Sequence, residues 1–105
     1  MRQFTSDAVY NIGNTGAAKT IDWNNGIQQR AVLTGDCTFT LSNPGQRGQI
    51  FVLELLVDGT GGYTPTWPNS NWGDAGEPAY VADENYLINL YWDGTNYQIS
   101  YRVAA

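Results

Sequence analysis

The sequence predicts an all-β protein. It would be a single small antiparallel β-sandwich or jelly-roll-like barrel of about eight short strands, with no substantial helix. Three observations carry this. The dominant hydrophobic period is two, as in Tyr97, Ile99, Tyr101 and Val103, which alternate with Gln98, Ser100 and Arg102. Turn clusters recur at Asn25-Gly26, Thr34-Gly35-Asp36, Asn43-Pro44-Gly45-Gln46 and Asp93-Gly94. No window shows three turns of helical periodicity.

Each element follows from these signals. Ala18 to Trp23 and Ile27 to Leu33 read as strands, and Asn25-Gly26 between them suits a type I′ hairpin turn. Cys37 to Leu41 alternates, with Cys37, Phe39 and Leu41 on one face. Ile50 to Val57 (IFVLELLV) is apolar on both faces, which suits a central strand covered on both sides. Glu54 interrupts it and needs a strand edge or an arginine as partner. Tyr63 to Trp67 reads as a short strand stopped by Pro68. In 85 to 92, Tyr86, Ile88, Leu90 and Trp92 share one face; Asp93 to Asn96 then turns the chain back into 97 to 103 as a hairpin. Residues 1–8 carry no core signal and are expected to be a flexible N-terminal arm, with residues 9–105 forming the one domain.

Composition excludes several functions. Of 105 residues, 42% are apolar and 13% aromatic, which favours a folded chain. Only 14% are charged, against roughly 25% in an average domain, so the surface is neutral and polar. The net charge is −5 and the five basic residues are scattered, so neither nucleic acid nor an anionic membrane is an expected partner. MRQFTSDAVY has no apolar signal-peptide core, and synthesis in the cytoplasm is expected. The single cysteine, Cys37, reads as a small core residue.

Catalytic signals are sparse. There is no histidine, so no histidine-based triad or metal site can form. Asp58-Gly59-Thr60-Gly61-Gly62 lacks the spaced carboxylates of a calcium loop and reads as a turn. Asp74 and Glu77 follow Trp72 and could in principle form a glycosidase pair, but nothing raises them above chance. No enzymatic activity, cofactor or metal is expected.

The segment DGTGGYTPTWPNSNWGDAGEP, 58 to 78, has two readings. Trp67, Asn69, Asn71, Trp72 and Asp74 could form a carbohydrate site on a loop, with rings to stack on sugars and amides to bond them. Alternatively, Trp67 caps the core and Trp72 plugs an open end or enters a subunit interface. Trp23 and Trp92, beside turns, read as core plugs.

The order of several stretches resembles a β-module of tailed-bacteriophage virion proteins. These are Ile21-Asp22-Trp23, Leu33 to Leu41, Asn43-Pro44-Gly45, Asp58 to Gly62, Thr66-Trp67-Pro68, Trp72, Pro78 and Tyr91 to Thr95, and the module they mark out would cover roughly residues 9 to 103. The resemblance implies a small β-sandwich, usually trimeric, of capsid decoration proteins, head fibres or tail-fibre tips. It places the Trp-Pro pair and the second tryptophan in a long structural connection and implies no catalytic residue. A free-standing module beginning at Met1 would suit a homotrimeric cement protein on the outer surface of the phage head, bound to the major capsid protein. The alternative is a receptor-recognition module for host-surface glycans. Arg2, Gln3, Phe4 and Thr5 form a candidate capsid-contact arm that could add a strand to an exposed edge.

Overall fold

A computed structural model of the chain describes residues 9–104. These residues form an all-β sandwich of eight strands, the class that the sequence predicts. The strands are β1 (Tyr10–Asn14), β2 (Ala18–Asp22), β3 (Gln28–Leu33), β4 (Thr38–Ser42), β5 (Ile50–Val57), β6 (Ser70–Trp72), β7 (Asn85–Trp92) and β8 (Tyr97–Val103). One sheet has the order β1-β3-β5-β7-β8-β6, and the other is the pair β2-β4.

The pairing differs from the expected antiparallel pattern. The large sheet is mixed, with β1/β3, β3/β5 and β6/β8 parallel and β5/β7 and β7/β8 antiparallel, and the small sheet is the parallel pair β2/β4. From β1 to β5 the chain alternates between the sheets, so each strand lies parallel to the one two places earlier. This winding replaces the hairpin expected at Asn25-Gly26. Trp23–Asn25 instead form one 3-10 turn, with the Asn24 amide donating to Asp22 Oδ1 at 2.9 Å and the Gly26 amide to the Trp23 carbonyl at 3.1 Å. A type I′ turn needs positive φ at both central residues. Here Gly26 takes φ 146° while Asn25 stays in the helical turn.

The reason for the crossing is burial. Trp23 is turned into the core, where it stacks on Phe51 at 4.2 Å and donates from Nε1 to the Tyr97 hydroxyl at 3.2 Å. Such a ring pair contributes about 0.5–1.5 kcal/mol beyond its area. Gln29 is buried behind the same corner, and its Nε2 donates to the carbonyls of Asp22 and Gly26, both at 2.8 Å. A buried amide that ties two carbonyls fixes the corner against slippage.

The core lies between the sheets. Ile21 and Phe39 from the small sheet meet Ala31, Leu33, Phe51, Leu53, Leu55, Val57, Ile88, Leu90 and Ile99 from the large one. Cys37 is buried and unpaired, and burial pushes its thiol up. The expected hairpin of β7 and β8 is present, and the Asp93 carboxylate accepts from the amides of Thr95 and Asn96 to close its turn. Those amides hold Asp93 below the usual carboxylate range.

Two further expectations change. Tyr63 to Trp67 is not a strand. It makes only isolated bridges, Tyr63 to Tyr80 and Thr38 to Thr66, because Pro65 and Pro68 lack the N–H groups that a longer ladder needs. β5 is central, between β3 and β7, but only its inner face is fully buried. Glu54 sits at mid-strand on the outer face, not at an edge. It accepts from Asn85 Nδ2 at 2.8 Å, and its direct neighbour on β3 is Arg30.

Candidate functional site

Residues 58 to 80 lie between β5 and β7 and include β6, the edge strand of the large sheet beside β8. Asp58 starts the segment. Its Oδ1 accepts from the amides of Thr60 and Gly61 at 3.0 and 3.2 Å, and both carboxylate oxygens accept from the Tyr63 hydroxyl at 2.9 Å. Partial burial alone would raise the Asp58 carboxyl, yet these donors outweigh it and hold the group below its ordinary value. The DGTGG stretch is therefore an Asp-capped turn. Gly61 takes φ +66° there and lies against the backbone of Ala82.

The two loop tryptophans meet. Trp67 is half-buried and stacks on Phe39 at 4.3 Å with an interplanar angle of 12°. Its edge meets Trp72 at 6.1 Å, and Trp72 meets Tyr101 at 6.4 Å. Tyr101 continues to Tyr86 at 6.0 Å and Tyr86 to Tyr80 at 5.5 Å. The Tyr80 hydroxyl then accepts from Trp67 Nε1 at 3.2 Å, which closes a ring of five aromatic side chains. One face of Trp67 is thus occupied by Phe39, and both tryptophans extend the core. Trp72 lies on β6, an edge strand parallel to β8. Asn69, Asn71 and Asp74 are exposed, with Asn69 at φ 47°.

Beside this ring lies a cleft of about 340 Å³, lined by Gly62, Tyr63, Thr64 and Pro65 on one side and Glu77, Pro78, Ala79 and Tyr80 on the other. Glu77 Oε2 accepts from the Tyr80 hydroxyl at 2.8 Å and from Trp67 Nε1 at 3.0 Å. Burial, and then the bond to Glu77, push the Tyr80 phenol well above its usual value, so it stays a donor. Of the five predicted loop residues, none lines this cleft, and Trp67 reaches it through its hydrogen bonds to Glu77 and Tyr80. Asp74 does not line it either, so the Asp74–Glu77 pair is not assembled there. Tyr63, Thr64 and Tyr80 were not singled out from the sequence. The Pro65 and Pro78 positions flanking two tyrosines were the available signal, but nothing local says that the two segments meet.

A second candidate surface is the outer face of the large sheet. Ile50 and Tyr91 are direct cross-strand partners there and are 56% and 40% exposed. Val32, Val52, Leu56 and Leu87, all half-buried, belong to the same face by register. The row Arg30, Glu54, Leu87, Arg102 crosses this face and places both charge signs on it. The proposed arm of Arg2, Gln3, Phe4 and Thr5 lies outside the described residues. It precedes Val9 and Tyr10, which are 40% and 45% exposed at the edge of the large sheet.

Compared with protein-family models, with curated proteins and with solved structures, the chain matches none of them.

Proposed function

We propose that the chain is a non-enzymatic structural protein of a bacteriophage virion: a homotrimeric decoration protein bound to the major capsid protein outside the head. The observation that carries this is the outer face of the large sheet. The exposed Ile50–Tyr91 pair and the half-buried Val52 beside it form an apolar patch at one end of this face, and the row Arg30, Glu54, Leu87, Arg102 separates it from Val32 and Leu56. An apolar patch rimmed by polar groups is characteristic of an interaction surface. Asn85, Asn89 and Gln98 share the face and supply hydrogen bonds, and Arg30 and Glu54 allow one copy to complement another. Rotational symmetry closes such an assembly without open ends. The arm Arg2–Thr5 would reach the shell from the β1 edge, where strand addition is possible.

The test is Ile50→Asp. Ile50 is exposed in the single chain, so the variant should keep its fold and circular dichroism. Its carboxylate would be buried without a partner in a trimer, at a cost of about 3–5 kcal/mol. Light scattering should then report monomer where the parent chain is trimeric. A trimer of unchanged stability would remove this face from the assembly.

One observation favours a second reading, a module that recognises host-surface glycans. It is the Glu77 carboxylate held beside tyrosine and proline side chains in an open cleft.

A further inference from the structure

We propose that the cleft between Gly62–Pro65 and Glu77–Tyr80 is a binding site for one uncharged sugar ring. This rests on the glycan-recognition reading and moves its contact from the tryptophan-asparagine loop to a different set of side chains.

The carboxylate is already oriented. Glu77 Oε2 is fixed by the Tyr80 hydroxyl and the Trp67 indole, while Oε1 makes no hydrogen bond among the described residues. A pre-positioned carboxylate with a spare oxygen accepts hydroxyl donors without losing further side-chain freedom. The Thr64 hydroxyl, on the facing segment, adds a group that both donates and accepts. The Tyr63 ring is held in place because its hydroxyl donates to Asp58. The half-buried Tyr63 ring gives the cleft an apolar surface against which the C–H face of a pyranose can pack, with the buried Pro65 and Pro78 behind it. The walls themselves are tied together by the Gly62 amide, which donates to the Tyr80 carbonyl at 2.8 Å, and Gly61 lies tight against Ala82. The site is therefore built before any ligand arrives.

The same lining selects the ligand. No lysine or arginine lines the cleft and the chain carries −5, so uronates, sialates and phosphorylated sugars are repelled. An ammonium group prefers an uncompensated charge enclosed by several ring faces. Here the carboxylate charge is already shared with two donors, and the second tyrosine, Tyr80, is buried. A neutral hydroxyl-bearing ring fits what remains.

The experiment is an amide NMR titration of the full chain with methyl glycosides of glucose, galactose, mannose and N-acetylglucosamine. Glucuronate and glucosamine serve as charged comparisons. At least one neutral glycoside should shift Gly62, Thr64 and Tyr80 saturably, and glucuronate should not. Glu77→Gln keeps size and an acceptor oxygen, and should weaken binding about tenfold, the loss of one charge-assisted hydrogen bond. Thr64→Val, at an exposed position, is a second variant if Glu77→Gln disturbs the fold. Saturable binding that maps to Asn69, Asn71 or Asp74 and ignores both variants would overturn this cleft but leave glycan recognition standing. No saturable shift with any neutral glycoside would overturn both. Preferential binding of glucosamine would overturn the neutral-ring assignment.

Discussion

Gly61→Ala is expected to destabilise the fold by at least about 3 kcal/mol, the upper end of the range for one strained residue. Gly61 has φ +66°, and a Cβ there would fall on the Ala82 amide nitrogen and within 2.8 Å of its Cα. The obstacle is backbone, so no side-chain rotation relieves it. Moving Ala82 away would also pull Asp83 from its bonds to the carbonyls of Val57 and Asp58, both at 3.1 Å. Gly62→Ala provides the comparison. Gly62 also has positive φ, +75°, but its Cβ would meet open space, so about 1 kcal/mol of conformational cost is expected there. Urea denaturation of both variants measures the difference. Equal losses would mean that segments 58–62 and 80–84 do not pack as described.

Trp67→Ala is the second large effect, at about 3 kcal/mol, the lower end for large-to-small aromatic changes because Trp67 is only half-buried. The substitution removes the stack on Phe39, the edge contact with Trp72 and the donor to Glu77 and Tyr80. Trp67→Phe should retain most of the stacking and lose the indole donor, for a cost of about 1 kcal/mol. The pair separates packing from hydrogen bonding by chemical denaturation. If Trp67→Ala costs no more than Trp67→Phe, the aromatic ring does not hold this segment to the core.

These two positions bear on how much of the molecule can be read from its sequence. The C-terminal hairpin is legible because everything that defines it is local: alternation on both sides and Asp93 capping its own turn. The inner face of β7 is legible for the same reason, whereas β5, apolar on both faces in sequence, hides which of them is the outer one. The crossing after β2 is not legible either, because a hairpin and a passage between sheets use the same turn residues. The decision is made by a distant partner, Phe51, which draws Trp23 inward. Gln29 shows the same limit. Its phase with Ala31 and Leu33 points inward, but its polarity hides this until the carbonyls of Asp22 and Gly26 are seen to converge on it. In the loop, composition marks out 58 to 78, and the two tryptophans do meet. That Phe39 occupies a Trp67 face, and that Glu77 rather than Asp74 enters a cleft, depends on contacts far apart in the chain.

The outer sheet face and the cleft use different residues, so the proposed trimer and the proposed sugar contact are compatible on one molecule. The outer face of β5 and β7 would be covered by neighbouring copies, and the cleft is lined by residues 62–65 and 77–80 of the connecting segment.

The central claim is that copies of this chain close on one another through that outer face. The most direct test is the solution mass of the unaltered protein by size exclusion with light scattering, over a concentration series. A mass of three times 11.6 kDa that persists on dilution is the predicted result. A mass of 11.6 kDa at every concentration would contradict it.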